Sequence, residues 1–312
     1  MLSRTADSLF WTARYLERAD FLARILDSAL RLSSMPAAKA GPNTWESVLA
    51  SAGATAGFYA KRQTATERTV RDFLAFDPEN PSSIYSCLAT ARSNGRAVRT
   101  ALTHEMWECL NDAWHGLQNL DAGRTSRDAF THFLEWVEQV TLVFDGSARR
   151  TMLRNDGYWF LRLGGAVERA DNTARILDVK YHLLLPAHEH VGGPLDYYQW
   201  AGILRSVSAL TAYHWVYKES LKPWLIADLL ILNEQMPRSL ASCYENLVQN
   251  LDRIAGNYGR QGPAQRQARS IRARLQNSRM DEIFQIGLHE FIGAFVEDNN
   301  RLGSALTQQY LA

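Results

Sequence analysis

The chain contains one passage twice. Residues 17–28 read ERADFLARILDS and residues 168–179 read ERADNTARILDV, so nine of twelve positions are identical at an offset of 151 in a chain of 312 residues. Self-similarity at half the chain length indicates an internal duplication and restricts the fold to two similar halves. Because a core tolerates exchange among apolar residues, the repeated charges are the more informative part. The pattern Glu-Arg-x-Asp-x-x-x-Arg-x-x-Asp, present twice, indicates that these side chains share a role.

The periodicity of apolar residues is helical along nearly the whole chain, and strand-like alternation is absent. Proline and glycine clusters mark the helix ends. The sequence therefore predicts an all-α helical bundle of about ten helices, the last of them broken near Ser278: 3–34, 43–75, 81–102, 104–121, 125–152, 156–185, 194–215, 222–234, 238–258 and 264–310. Asn80 before Pro81 is a start signal, since asparagine caps helices and proline tolerates the first turn.

The duplication continues beyond the first helix of each half. Trp45 pairs with Trp200 at an offset of 155, and residues 73–87 run beside residues 229–243 at an offset of 156. The final third matches weakly, and no linker-like tract separates the halves. We predict a single domain over residues 1–312, with pseudo-twofold symmetry between internal repeats of about 1–152 and 153–312.

Composition excludes several classes of function. The net charge is +1, from 34 basic and 33 acidic residues, so nothing favours nucleic acid or an anionic membrane as a partner. The three cysteines are widely spaced and suit a reducing compartment. Since neither a signal peptide nor a membrane span is evident, the expected location is the cytoplasm.

One arginine in each copy breaks the amphipathic pattern. On a helical wheel, Arg18 and Arg169 lie inside the apolar arc of their helices. The other repeated charges form a polar stripe: Glu17, Asp20 and Arg24 in the first copy, and Glu168, Asp171 and Arg175 in the second. An unpaired buried charge is costly, and a carboxylate matches the guanidinium fork best.

The partner of each interior arginine should lie on another helix, because adjacent residues of a helix diverge by about 100°. We expect a crossed arrangement in which Arg18 meets Glu168 and Arg169 meets Glu17. In one interpretation these pairs only fix the register of the helices. In the other, the stripes line a central polar cleft, where arginines bind a carboxylate or phosphate and glutamates bind an amine or metal.

These residues resemble the Alpha-E family, a bacterial all-helical domain named for its Glu-Arg motif. The opening MLSRTADSLFWTARYLERAD and the second motif FLRLGGAVERADNTARILDVKYHLLLP, residues 160–186, carry the resemblance. It implies a domain usually encoded near circularly permuted ATP-grasp proteins and transglutaminase-like cysteine peptidases. It therefore implies an ATP-grasp-type ligase and a transglutaminase-like protein as partners, and a role in making or modifying amide bonds.

The motif residues that the resemblance carries over are Glu17, Arg18, Glu168 and Arg169, with Arg24 and Arg175 behind them. Asp20 and Asp171 of the repeated polar stripe, and Arg14 in the first copy, complete the set of candidate ligand-binding residues. One departure stands out. The family often has Gly-Arg three residues before the glutamate, whereas this chain has Ala13-Arg14 in the first copy and Gly164-Gly165 in the second. If Arg14 contacts a ligand, the halves are unequal, with one active site and one structural copy.

Metal and cofactor chemistry finds little support. A ferritin-like di-metal site needs Glu-x-x-His on facing helices, which this sequence lacks. The segment His188-Glu189-His190 has histidines two apart, but a short loop cluster of this kind is typical of a solvated loop. We predict no metal and no cofactor.

Two other features favour structural roles. Cys87 and Cys243 match across the halves on apolar faces, which favours buried core cysteines over nucleophiles. Residues 260–279 contain six arginines and no acid, which favours a solvated helix or a partner-docking face over a nucleic-acid site. Gly164-Gly165, inside a helical pattern, favours close helix packing over a phosphate loop.

The leading hypothesis is an accessory or ligand-binding module of an ATP-grasp-linked system, with an amino-acid or peptide-like ligand. One alternative is an enzyme with Glu17 or Glu168 as general base and Arg18 or Arg169 as anion clamp. Another is a purely structural helical scaffold for protein–protein interaction.

Overall fold

The computed structural model describes residues 3–34, 43–119, 126–182, 194–259 and 261–311, and for residues 179–182 and 194–196 it gives the backbone. All regular structure in these ranges is helical and none is strand, which confirms the all-α class. The predicted histidine cluster, His188-Glu189-His190, lies outside the described residues. No described helix is both long and apolar enough to cross a bilayer.

The described ranges hold fifteen α-helices, where about ten were predicted. The first half comprises α1 Ser3–Ser33, α2 Thr44–Ser51, α3 Thr55–Tyr59, α4 Glu67–Arg71, α5 Ile84–Ala97, α6 His104–Gln118 and α7 Arg127–Thr151. The second half comprises α8 Asp156–His182, α9 Pro194–Ser206, α10 Leu210–Tyr217, α11 Pro223–Ile231, α12 Leu240–Tyr258, α13 Pro263–Asn277, α14 Met280–Ile286 and α15 Leu288–Leu306. Shorter turns complete the chain: a 3-10 turn at Arg99–Ala101 and π-helical turns at Asp72–Phe76 and Thr307–Leu311.

The additional helices come from breaks within long predicted helices. Left-handed backbone follows α2 at Gly53 (φ 62°) and α9 at Ser208 (φ 55°). Gly287, with φ 108°, separates α14 from α15. Residues with positive φ stop a helix, and the apolar periodicity on either side of them does not reveal the break.

The start of α5 also differs from the prediction. The helix begins at Ile84, and the Ser83 hydroxyl caps it by accepting a hydrogen bond from the Ser86 amide at 3.1 Å. Asn80 instead bridges the turn before the helix, donating from Nδ2 to the Phe73 carbonyl at 2.9 Å. Ser239 caps α12 in the same way, which matches Ser83 at the offset of 156.

Helices α1 and α8, which carry the duplicated passages, form the central pair and pack on each other along their length. Helices α5 and α7 flank α1, and α12 and α15 flank α8. The halves also interlock, because α2 contacts α8 and α9 contacts α1. One continuous hydrophobic core runs through both halves. Pseudo-twofold symmetry stays a prediction.

The basic stretch, of which α13 is the helical part, is partly paired with acids within the fold. Three of its arginines make ion pairs with acids of neighbouring helices: Arg269 with Asp252, Arg272 with Glu245 and Arg274 with Asp298. These contacts account for three of the six arginines of the stretch.

Candidate functional site

The packing of α1 against α8 brings the two Glu-Arg motifs together. Arg169 on α8 donates to both carboxylate oxygens of Glu17 on α1, from Nε at 2.9 Å and from Nη2 at 2.6 Å. Arg18 on α1 donates from Nε to Glu168 on α8 at 2.6 Å. Each interior arginine therefore meets the glutamate of the opposite copy, which confirms the crossed pairing predicted from the sequence.

The carboxylates of these pairs are buried more deeply than the arginines. Glu17 and Glu168 are 8% and 2% exposed, whereas the side chains of Arg18 and Arg169 are 24% and 18% exposed. The polar stripe of α1 faces other helices, since Asp20 and Arg24 are also buried. The face of α1 that a helical wheel identifies as polar is therefore buried against other helices, and its charged residues lie in that interface.

A first cluster forms around Glu17 and consists of Glu17, Asp20, Arg24, Arg169 and Arg238. Arg238 precedes α12 and donates from Nη1 to Glu17 at 2.7 Å and from Nη2 to Asp20 at 2.6 Å. Arg24 donates from Nε to Asp20 at 2.9 Å.

Outer residues complete the bonds of the first cluster. The Thr141 hydroxyl donates to Oδ1 of Asp20 at 3.1 Å. Nη1 of Arg24 donates to the Ser208 hydroxyl at 2.8 Å and lies 3.0 Å from a carboxylate oxygen of Glu138. Every carboxylate oxygen of Glu17 and Asp20 therefore has a donor.

A second cluster forms around Glu168 and consists of Arg14, Arg18, Glu168, Asp171 and Arg175. Arg14 donates from Nε to Glu168 at 2.7 Å, and Arg18 also donates from Nη1 to the Ser82 hydroxyl at 3.2 Å. Arg175 donates from Nε to Oδ2 of Asp171 at 2.6 Å.

The second cluster is incompletely bonded. Oδ1 of Asp171 and Nδ2 of the neighbouring Asn172 are buried without a hydrogen-bond partner among the described residues. Buried polar atoms in native proteins are nearly always paired, so each exception calls for an explanation. The two clusters, built from the same motif, therefore differ in how completely their polar atoms are satisfied.

The sequence analysis did not identify Arg238. This arginine makes a contact with Glu17 that the second copy cannot make from α8. Arg14 corresponds to Gly165, so no matching arginine on α8 reaches Glu17. Arg238, which lies just before the start of α12, supplies the second guanidinium that bonds Glu17. At the offset of 156 it aligns with Ser82, and this charge difference inside a duplicated segment is the signal that could have found it.

The arginines hold both glutamates in the ionised form. Burial alone would raise the pKa of Glu17, but the charges and hydrogen bonds of Arg169 and Arg238 more than offset it and bring the pKa to about 2. At Glu168, burial likewise acts to raise the pKa, but the charges and hydrogen bonds of Arg14 and Arg18 outweigh it and lower the pKa. Both glutamates are therefore weak general bases.

Each crossed pair borders a cleft of its own. The Glu17 cleft, of about 90 Å³, is lined by the carboxylates Glu17, Asp20 and Asp145 and by the arginines Arg162, Arg169 and Arg238. The Asp171 cleft, of about 170 Å³, is lined by polar residues of the second cluster and its surroundings: Arg18, Ser82, Glu168, Asp171, Asn172 and Arg175. We expected one cleft bordered by both pairs, whereas these two clefts are each bordered by one pair.

The cysteines of the two halves lie beside the clusters but are buried. Burial raises the pKa of the Cys87 and Cys243 thiols to about 12, although Arg18 acts to lower the first and Arg169 the second. A thiol that stays protonated near neutral pH is a poor nucleophile. Among the described residues no group of three or more potential metal ligands is assembled.

Comparisons with known proteins agree with the motif. A family model described as "Alpha-E: a predicted alpha-helical domain with a conserved ER motif" matches residues 1–311. Uncharacterised proteins of Mycobacterium bovis and Mycobacterium tuberculosis are 21% identical over 300 residues, which is 91% of this chain and 33% of each relative. The chain thus spans about a third of the length of these relatives. No solved structure matches it.

Proposed function

We propose that this chain, which belongs to the Alpha-E family, is an accessory, ligand-binding helical module of a system that makes or modifies amide bonds. The ligand is an amino-acid or peptide-like molecule, and the catalytic partner is an ATP-grasp-type ligase. A transglutaminase-like protein is a further partner in the same system.

The observation that carries this proposal is the Asp171 cleft of the second cluster, which Arg175 lines with a side chain that is 33% exposed. In the first cluster, Arg169 and Arg238 each donate from two nitrogens to carboxylates. Arg175 instead bonds Asp171 through Nε, and its terminal nitrogens have no hydrogen-bond partner among the described residues. An anionic group of a ligand in the cleft would accept from these nitrogens.

The length of the relatives supports the module interpretation. The similar region occupies 33% of each mycobacterial relative, so in those proteins it is one part of a longer chain. A region that forms one part of a longer chain is typical of a component that acts together with other regions.

An enzyme that uses Glu17 or Glu168 as general base is less well supported. All four carboxylate oxygens accept hydrogen bonds from arginine, and the pKa of each glutamate is lowered. A catalytic base works best with a pKa near the working pH and a free lone pair. The scaffold alternative suits the first cluster, which is completely paired.

Co-purification with the neighbouring ligase tests the proposal. The tagged chain should retain the ATP-grasp-type protein, and mass analysis of the purified complex should find a small molecule carried along. The chain alone should not turn over amino-acid or peptide substrates with ATP. Turnover by the chain alone that Glu17→Gln abolishes without unfolding would instead establish the enzyme alternative.

A further inference from the structure

We infer that a cleft in front of Arg14 is a second ligand site, separate from the Asp171 cleft, and that it binds the oxyanion of a polar small molecule, a carboxylate or a phosphate. The Arg14 cleft lies between α1, α8, α15 and the turn Thr307–Leu311, and its volume is about 380 Å³. This volume falls within the range of about 300–1,000 Å³ that is usual for small-molecule pockets. The two clefts that border the crossed pairs are smaller.

Two contacts hold the guanidinium of Arg14 in place and leave one of its nitrogens unbonded. Nε and Nη2 both lie 2.7 Å from Oε2 of Glu168. The guanidinium carbon also lies over the ring of Trp11, 4.8 Å from its centroid. Nη1 has no hydrogen-bond partner among the described residues. Because the group is already fixed, little conformational freedom is lost when Nη1 binds a ligand.

Gly303 on α15 leaves the space beside this nitrogen open. Both Gly303 and Arg14 line the cleft. A Cβ at Gly303 would lie 4.0 Å from Nη1 of Arg14, which would be its nearest contact outside its own helical backbone. A longer side chain at this position would fill the space in front of the guanidinium, so the glycine keeps Nη1 accessible.

The charge of the cleft favours an anion. Arg14 and Arg18 both bond Glu168, and neither makes an ion pair with another acid among the described residues. None of the described residues that line the Arg14 cleft carries a carboxylate. The Glu17 cleft differs, because it holds three carboxylates beside its three arginines. An anion in the Arg14 cleft would therefore meet a positive charge without an acid next to it.

Neutral polar groups of α15 and of the turn after it form the opposite wall. The Ser304 hydroxyl donates to the Asn300 carbonyl at 3.2 Å, and the Thr307 hydroxyl donates to the Gly303 carbonyl at 3.1 Å, so both hydroxyl oxygens can still accept. The side-chain amides of Asn300 and Gln308 have no hydrogen-bond partner among the described residues. These groups suit a ligand that carries hydroxyl or amide groups next to its oxyanion.

The floor of the cleft is fixed by buried hydrogen bonds. Asn299 is 1% exposed, and its Oδ1 accepts from the Tyr244 hydroxyl at 2.9 Å. Its Nδ2 donates to the Val167 carbonyl on α8 at 3.2 Å. Because these bonds hold α15 against α8, the cleft is formed before any ligand binds, as most small-molecule sites are.

Calorimetry and thermal shift on the full chain, with two pairs of probes, test the inference. Glycerol 3-phosphate is compared with glycerol, and N-acetylalanine with N-acetylalanine amide. In at least one pair the anion should raise Tm and bind at least about tenfold more tightly than its neutral counterpart. Added salt should weaken this binding, since the side chain of Arg14 is 16% exposed. The anion that binds more tightly identifies a phosphate or a carboxylate as the source of the group.

A first variant blocks the space in front of Arg14. Gly303→Leu should abolish binding in this cleft, and it should not lower the Tm of the free protein, because leucine favours a helix more than glycine does. Gly293→Leu is the matched control, with the same substitution on the same helix at a position where an added Cβ meets nothing within 4 Å. It should bind the anions as the wild type does.

A second variant changes the charge of the cleft at an exposed residue. Ser304→Glu places a carboxylate in the same cleft as Arg14 and should weaken anion binding at least about tenfold, because like charges repel. Ser304→Gln has a side chain of nearly the same size without the charge, and should retain most of the binding.

Loss of one binding event per chain in Gly303→Leu and Ser304→Glu, with binding retained in Gly293→Leu and Ser304→Gln, supports the Arg14 site. Anions that bind no more tightly than their neutral counterparts would overturn it. Wild-type anion binding by Ser304→Glu, or by a folded Gly303→Leu, would also overturn it. In that last case the anion binds elsewhere, and the function proposed for the Asp171 cleft is unaffected.

Discussion

Gly164 on α8 lies directly against the backbone of Phe10 on α1. A Cβ at Gly164 would approach the carbonyl carbon of Phe10 to 2.9 Å and its Cα to 3.1 Å, and would collide with the carbonyl oxygen. Because the obstacle is backbone, no rotation of a side chain can relieve the collision. This close approach is what allows the glutamates of α1 and α8 to reach the arginines of the opposite helix.

Substitution of Gly164 should therefore destabilise the protein. We expect Gly164→Ala to lower the free energy of unfolding by at least about 2 kcal/mol, because α1 and α8 must move apart. Gly165→Ala is the control on the next residue, where an added Cβ meets nothing within 4 Å. It should be neutral or stabilising by up to about 1 kcal/mol through helix propensity. Equal urea midpoints for the two variants would contradict the packing argument.

Arg18 should contribute far more to stability than an exposed arginine of the same helix. Arg18→Ala removes one partner of Glu168, which is 2% exposed, and should cost several kcal/mol, about 3 by analogy with other buried pairs. Arg31, whose side chain is 59% exposed, pairs with Asp27 at 2.7 Å and is the matched control. Arg31→Ala should cost less than about 0.5 kcal/mol.

Chemical denaturation of the two variants measures this difference. A double-mutant cycle of Arg18→Ala with Glu168→Gln then isolates the pairwise coupling. A loss below about 0.5 kcal/mol for Arg18→Ala would show that Arg14 alone is sufficient to satisfy Glu168, and that the crossed pair contributes little to stability.

The crossed pairs were predictable because the residues of the two motifs are themselves sufficient to indicate the partners. An arginine in the apolar arc of a helix requires a carboxylate from elsewhere, and the duplication supplies one candidate in each copy. The close packing at Gly164 was predictable for a similar reason, since a glycine in a helical pattern indicates an approach of another backbone.

The difference between the clusters was not predictable from the motif, because it depends on residues far away in the chain. Arg238 reaches Glu17 from the start of α12, and Ser208 reaches Arg24 from the end of α9. Nothing in the helical periodicity predicts these contacts. The left-handed positions at Gly53 and Ser208 were missed for different reasons. Glycine is a usual signal for positive φ, but the helical periodicity on both sides of Gly53 concealed the break, whereas a serine gives no such signal.

The buried cysteines should be unreactive in the native protein. Burial raises the pKa of Cys87 and Cys243 to about 12 and that of the half-buried Cys109 to about 11, so almost no thiolate is present at pH 8. A disulfide reagent should modify Cys87 and Cys243 only on the timescale of unfolding, and should titrate three thiols in denaturant. Rapid modification of either in the folded protein would revive a nucleophilic role.

Stability should fall in acid through the titration of Glu17. Its pKa is about 2 in the folded protein and has a reference value of 4.5, so the unfolded chain binds more protons between these values. The stabilisation is therefore complete above about pH 5 and is lost as the pH falls toward 2. The difference between the two pKa values corresponds to about 3 kcal/mol.

Glu17→Gln isolates this contribution, because the amide cannot titrate. The variant should have a lower free energy of unfolding than wild type at pH 6. This difference in free energy should become steadily smaller as the pH approaches 2, where the wild-type carboxyl is itself becoming neutral. Glu297→Gln, at an exposed position of α15, is the control and should keep the wild-type decline. Urea unfolding at a series of pH values measures the three curves. A gap that stays constant between pH 6 and pH 2 would mean that Glu17 is not held ionised by Arg169 and Arg238.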